Sequence, residues 1–313
     1  MNVRKFVGIA LFAMLVCMVL SVGVQAINLT IFQTSDTHYE GTSPTNGTKA
    51  TVQAMNGLAG MAWPYGGTIP TPSAVIVCGD LCDGGKSSTT PATDTPQWYS
   101  NRNYQHEWTG FDYNFPKNGV AGDNNRLKYP NYCVPGNHDY WRWCGYTLGT
   151  STYVAEKLKA RYTTNAIEQG NVYYSFNLGG VHFCAIGRYP SPAVLDWLTY
   201  DLSTVGYDAP VVLFLHYDFS DSDWWTANQR QYLANVLNAG YNVIAILNGH
   251  THASQHYMWN GIDIYDDGSA SANCGVNVIR ITDTTVQVCH YTATQSNGTW
   301  TGGSWPWAHS KTW

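Results

Sequence analysis

The sequence predicts an α/β fold, and three observations predict it. Short apolar runs of strand length alternate with stretches of helical spacing along most of the chain. Five of the apolar runs stop directly at Asp, Asn or His residues, and in α/β sheets the loops beyond strand carboxyl ends converge on one crevice. Hydrophobic residues make up 44% of the 313 and charged residues 12%, a composition that buries a sizeable core and is unlike a disordered chain.

The elements follow in order. Asn28 to Gln33 is a short apolar strand that stops at Thr34-Ser35-Asp36. Lys49 to Trp63 carries Val52, Met55, Leu58 and Ala59 at helical spacing. Ala74 to Cys78 is a buried strand ending in Gly79-Asp80, and Tyr132 to Val134 another, ending in Pro135-Gly136-Asn137-His138-Asp139. Val154 to Tyr162 is helical, and strands starting at Val172 and Val181 are joined through Gly179-Gly180, a hairpin signal. Helices are expected over Pro192 to Leu202 and Ala227 to Leu237, with strands over Val211 to Leu215 and Val243 to Leu247. These strands run into His216 and Asn248-Gly249-His250, and Ile262 to Tyr291 is β-rich.

Two stretches depart from this order. An insertion at about 84–130 is rich in Ser, Thr and Pro, then in aromatics, including Trp98, Tyr99, Tyr104, Trp108, Phe111 and Phe115. Long connections of this kind are usually lids or binding loops, which makes His106 a candidate substrate contact. Residues 296–313 form a Gly/Ser/Trp-rich C-terminal tail. The body of the chain is then one domain over 27–295.

Residues 1–26 read as a signal peptide. Arg4 and Lys5 precede an apolar stretch from Phe6 to about Val22, and Val24-Gln25-Ala26 is an acceptable cleavage site. The apolar run is also close to bilayer length, so an uncleaved anchor is the alternative. The expected location is secreted or otherwise extracytoplasmic, in a periplasm or endomembrane lumen, with no stable membrane insertion after leader cleavage. Loss of Cys17 with the leader leaves seven of the eight cysteines, an odd number that cannot all pair; Cys82 with Cys144 is one candidate disulfide. With 16 basic against 21 acidic residues and a formal net charge of −5, the chain lacks the electrostatic footprint of a nucleic-acid-duplex binder.

The polar residues after the strands carry the chemistry. Asp36-Thr37-His38 sets a carboxylate and an imidazole two apart, so in extended chain both point the same way. Asp80 and Asp83 add carboxylates on a glycine turn, Asn137 a neutral oxygen, and His216, His250 and His252 three imidazoles. Mixed imidazole and carboxylate ligands suit Zn, Mn, Fe or Ni rather than Ca or Mg. Seven ligands, Asp36, His38, Asp80, Asn137, His216, His250 and His252, exceed one tetrahedral ion and suit two ions about 3.5–4 Å apart sharing a carboxylate. His182, His256 and His290 have no motif around them and read as structural, and Asp139 reads as a support for its own loop.

These residues resemble the calcineurin-like metallophosphoesterase superfamily, whose pattern of DxH, GDxxD, GNH(D/E), a lone His and GHxH runs complete and in order from Asp36 to His252. The resemblance implies a four-layer α/β/β/α sandwich of two mixed sheets, where periodicity alone gives only α/β. It implies that one transition-metal ion, divalent or trivalent, takes Asp36, His38 and His252. A second takes Asn137, His216 and His250, and Asp80 bridges the two. It further implies that a metal-bound water attacks phosphorus in line, that His138 assists the leaving oxygen, and that Asp83 orients His138.

Departures from the subfamilies narrow the reading. Protein Ser/Thr phosphatases of the superfamily carry phosphate-clamping arginines where this chain has Gly84 and Pro135. Purple acid phosphatases carry a tyrosine ligand shortly after the GD pair, where Leu81-Cys82-Asp83-Gly84 stands here. The expected partner is a small phosphate ester. A diester is favoured over a monoester of acid- or nucleotide-phosphatase type, because the arginines are missing and the aromatic insertion offers a place for a leaving group. A carbohydrate- or lipid-binding protein with a structural metal site is the remaining reading.

Overall fold

Side chains alternate across each strand, and in this chain the alternation serves two different cores. In β1 (Asn28–Thr34), Leu29 and Ile31 enter one core and Phe32 the other. In β2 (Ala74–Cys78), Ile76 and Cys78 follow the first and Val75 and Val77 the second. Strands so divided are buried on both faces, which is why they read as continuous apolar runs. The computed structural model describes residues 26–84, 101–144, 147–163, 167, 168, 170–219 and 225–313. The leader therefore lies outside the described residues except at Ala26, as do Trp98 and Tyr99 of the insertion.

The first sheet has six strands. β1, β2 and β3 (Asn131–Val134) are parallel. β14 (Gly275–Thr282) joins β1 antiparallel, and β15 (Thr285–Ser296) and β16 (Thr299–Thr312) extend the sheet outward. The second sheet runs in the order β12 (Ser254–Trp259), β13 (Ile262–Asp267), β11 (Val243–Asn248), β10 (Val211–Phe214), β9 (Val181–Ala185) and β8 (Tyr174–Leu178). Its middle strands β9, β10, β11 and β13 are parallel, with antiparallel strands at both edges. Two small hairpins, β4–β5 (Trp141–Cys144 with Thr147–Thr150) and β6–β7 (Ile167–Glu168 with Asn171–Val172), stand apart from both sheets.

Ile31, Ile76, Val134, Phe183, Phe214 and Leu247 fill the space between the sheets. On the outer face of the first sheet lie α1 (Asn46–Leu58), α2 (Asn101–Asn114) and α3 (Tyr153–Tyr162), which contribute Met55, Phe111 and Leu158. On the outer face of the second lie α4 (Pro192–Val205) and α5 (Ala227–Leu237), which contribute Leu198 and Leu233. The result is the four-layer α/β/β/α sandwich that the resemblance implies. Buried Gln33 clasps the two sheets beneath the ends of their strands, its Nε2 donating to the carbonyls of Asn248 and Tyr265, each at 2.9 Å.

Three expectations change. The aromatic insertion is not a loop throughout, because its middle is α2, with Tyr104, Trp108 and Phe111 turned into the core and Phe115 following at its end. Positions 104, 108, 111 and 115 repeat at helical spacing, and the helix buries the side rich in rings while His106 sits on its exposed side. The tail is the edge strand β16. A register shift opposite Tyr291 absorbs an extra residue near Pro306, turning Trp305 to the helix-side core and Trp307 to the inter-sheet core. Cys82 is a buried free thiol, as are Cys78, Cys133, Cys184, Cys274 and Cys289, so the Cys82–Cys144 disulfide is not formed. Among the described residues, no helix is long and apolar enough to cross a membrane.

Candidate metal centre

The parallel strands of both sheets deliver their carboxyl ends to one place. β1 leads to Asp36 and His38, β2 to Asp80 and Asp83, and β3 to Asn137 and His138, while β10 leads to His216 and β11 to His250 and His252. His252 Nε2 lies 3.1 Å from Asp36 Oδ1 and 3.2 Å from His38 Nε2. His216 Nε2 lies 2.9 Å from Asn137 Oδ1 and 3.3 Å from Asp80 Oδ2. His250 joins Asp80 and His216 in a second group of clustered ligand atoms. Asp80 Oδ2 is also 3.8 Å from His38 Nε2, so this carboxylate stands between the two groups. All seven sequence-predicted ligands are thus brought together.

The backbone that aims them is unusual. Asp36, His38, Asp80, His250 and His252 all have positive φ, between 44° and 78°. Residues with a Cβ pay sterically in this region, and such strain concentrates at functional sites. Asp36 and His38 therefore do not sit in extended chain as their spacing suggests; each turns left-handed, and hydrogen bonds from Asp36 N to Gly79 O and from His38 N to Asp80 O hold the two loops side by side. The flanking glycines are set by proximity. A Cβ at Gly79 would fall 2.5 Å from His216 Nδ1, and one at Gly136 would fall 2.0 Å from Asp80 Oδ1.

Around the ligands, a second ring of groups fixes which nitrogen faces inward. His216 Nδ1 donates to the Cys78 carbonyl at 2.7 Å, and His38 Nδ1 lies 2.9 Å from Asp83 Oδ1. Both imidazoles therefore turn Nε2 toward the carboxylates, an arrangement typical of metal-bound histidine. Ser35 Oγ and the His250 N–H both donate to Asp36 Oδ2. Thr251, between the two histidines, donates to Asp266 Oδ2 at 2.5 Å. Asp139 accepts from the N–H groups of Gly136, Leu81 and Cys82 at 2.7, 3.0 and 2.9 Å, which ties the β2 loop to the β3 loop.

The electrostatics suit cations. Burial opposes charge on Asp36 and Asp80, yet hydrogen bonds with His252 and His38 hold Asp36 well below the usual carboxylate range, and His216 and His138 hold Asp80 down. Burial is likewise overcome at His38, pushed up to about 11 by Asp36 and Asp83, and at His216, pushed up to about 9 by Asp80. Acceptor atoms facing one another at these distances need positive charge between them; protons serve in the metal-free chain and are displaced when a metal binds. Nitrogen and oxygen donors in this mixture fit two borderline transition-metal ions.

His138 stands at the rim, its side chain 21% exposed and its ring edge-on to His38 at 4.7 Å. Its backbone N–H donates to Asp80 Oδ1 at 2.8 Å. Asp83 Oδ1 is 3.5 Å from His138 Nδ1, farther than from His38, so this carboxylate addresses two imidazoles rather than one. One partner that the sequence reading does not include is Tyr104 of α2, whose hydroxyl donates to the His138 carbonyl at 2.9 Å.

The calcineurin-like phosphoesterase family model matches residues 29–254, which hold every one of these ligands. The chain belongs to the calcineurin-like phosphoesterase family. Two curated relatives from Arabidopsis thaliana match part of it: purple acid phosphatase 15, 26% identical over 201 residues, and purple acid phosphatase 23, 28% identical over 202. Each alignment covers 58% of this chain but only 35% and 41% of the respective relatives, so the chain spans well under half their length. Among solved structures, a dimetal phosphatase from Danio rerio superposes with a TM-score of 0.55 at 13% identity, covering 91% of this chain and 99% of that one. PhoD superposes with a TM-score of 0.53 at 12% identity, covering 91% and 68%. At such identities the structural likeness concerns the fold of this phosphoesterase-family chain.

Proposed function

We propose that this calcineurin-like phosphoesterase-family chain is a two-metal hydrolase of small phosphate esters that acts outside the cytoplasm. One observation carries the reading: seven ligand side chains from both sheets meet with Asp80 between two histidine groups, and a further imidazole, His138, stands at the rim. Asp36, His38 and His252 would hold one ion and Asn137, His216 and His250 the other, with Asp80 shared. When bound, such a pair supplies Lewis-acid stabilisation of phosphoryl charge and lowers the pKa of a bound water.

The chain's own residues do the rest. His138 turns Nδ1 toward Asp83, which leaves Nε2 as the nitrogen that gives its proton to the leaving oxygen. Asp83 orients that ring and, more closely, His38. Gly84 and Pro135 stand where the family's protein phosphatases carry arginines, which favours a diester, whose phosphoryl group bears less charge than a monoester. The names of the purple acid phosphatase relatives favour the second reading, a phosphomonoesterase, although no tyrosine follows Gly79-Asp80 here.

Metal-replete protein assayed on p-nitrophenyl phosphate and on its bis-ester separates these readings. Higher kcat/KM on the bis-ester is expected, and Asp80→Ala or His216→Ala should remove activity on both. Activity that survives both substitutions would overturn the two-metal assignment.

A further inference from the structure

Away from that centre, His256, Asp263 and His309 bring three ligand atoms within 4.8 Å of one another. They come from three strands of two sheets: His256 from β12, Asp263 from β13 and His309 from β16. None has a motif around it, and β16 lies outside the matched family region. We propose that these three side chains form a separate site for one borderline divalent cation, such as zinc, which straps the C-terminal strand of the first sheet to the edge of the second.

The ligand chemistry fits such an ion. Two imidazoles and one carboxylate are a common three-ligand set for zinc, with water in the fourth position. His256 Nε2 lies 2.6 Å from Asp263 Oδ1, and His309 Nε2 lies 3.8 Å from the same oxygen. Donors around a tetrahedral zinc at about 2.0–2.1 Å sit roughly 3.3 Å apart. The first distance must therefore open by about 0.7 Å and the second close by about 0.5 Å. The imidazole side chains, 24% and 28% exposed, have room for that adjustment and admit solvent for the fourth position. Their rings are stacked at 3.7 Å with 24° between planes, so one imidazole must swing out of the stack before both nitrogens face one ion.

The surroundings orient the donors. His309 Nδ1 pairs with the Tyr265 hydroxyl at 2.8 Å, which directs Nε2 toward Asp263, the outer-shell pattern of ligating histidine. Lys311 Nζ binds the other oxygen, Asp263 Oδ2, at 2.7 Å. That leaves Oδ1 as a monodentate ligand, and the lysine charge weakens affinity without blocking the position. Three donors on paired strands rather than loops hold their geometry closely.

The test counts metal. Full-length protein loaded with zinc and freed of excess is analysed for zinc per chain, as wild type, His256→Gln, His309→Ala and Asp80→Asn. The wild type is expected to hold one equivalent more than either histidine variant, and both variants should retain phosphoesterase activity. Asp80→Asn should lose activity but keep this extra equivalent, so failure of the two-metal reading is separable from failure here. Cobalt(II) titration of the wild type should show a visible absorption component that both histidine variants lack, and Lys311→Met should tighten it about tenfold. Equal zinc content and identical cobalt spectra in wild type and a folded histidine variant would overturn the proposal.

Discussion

The hydroxyl of Tyr104 donates a 2.9 Å hydrogen bond to the carbonyl of His138. A helix built from the insertion thus reaches the loop that carries the proposed general acid. The bond is worth about 1 kcal/mol, so Tyr104→Phe should lower kcat by about fivefold. The loss should be larger for esters of poorly acidic alcohols, which need a proton, than for p-nitrophenyl esters. A steady-state comparison of the two leaving groups checks this, and an equal loss on both would mean that Tyr104 does not act through His138.

Asp83 lies nearer His38 than His138. Removing an outer-shell partner of a ligating histidine typically costs 10–100-fold in metal affinity. Asp83→Ala should therefore weaken metal binding by a factor in that range, measured by chelator competition. If affinity stays unchanged while kcat falls, Asp83 serves His138 alone.

Gly79 and Gly122 share a φ of +88° but differ in what surrounds them. A Cβ at Gly79 meets the His216 ring, whereas a Cβ at Gly122 meets nothing within 4 Å. Gly122→Ala should cost about 1–2 kcal/mol from backbone strain alone. Gly79→Ala should cost about 1–3 kcal/mol more through overpacking, and it should also reduce metal content by displacing His216. Urea denaturation of both variants, with metal analysis, reads the difference.

Burial pushes His290 down to about 4, and its Nδ1 lies 2.9 Å from Asn277 Oδ1. The unfolded chain protonates this residue near 6.5, so between about 4 and 6.5 the unfolded state binds the extra proton. Its contribution to stability is therefore present above about pH 6.5 and lost progressively as pH falls toward 4. His290→Gln should flatten that acid limb by roughly 1–3 kcal/mol between pH 7 and 4.5, read from urea midpoints at the two pH values.

The fold and the gathering of the seven candidate ligands are legible in the sequence for a common reason. Parallel strands buried on both faces are written as unbroken apolar runs, and their ends are marked by abrupt polarity, as at Asp36, Asp80 and His216. What stays hidden depends on contacts between remote segments. Residue type does not announce that Asp36 and His252 adopt left-handed backbone, since the surrounding loops impose it. Helix α2 is masked by a composition of Asn, Asp, Thr, Gly and aromatics with weak helical propensity, although Tyr104, Trp108 and Phe111 keep the spacing. The tail carries no strand signal of its own because Gly, Ser and Pro disfavour strands in isolation, and only β15 beside it makes β16 a strand. That Asp83 serves two histidines, and that His256 meets His309, follow from packing alone.

Gln33 clasps the sheets directly below the ligands, and the ligands themselves are split between those sheets, with His252 paired to Asp36 across 216 positions of chain. Closing so long a loop is entropically expensive and late. Neither sheet alone can gather a complete ligand group, so high-affinity metal capture must wait until the halves dock. The time course of metal uptake during refolding is consequently expected to act as a clock for the final assembly step.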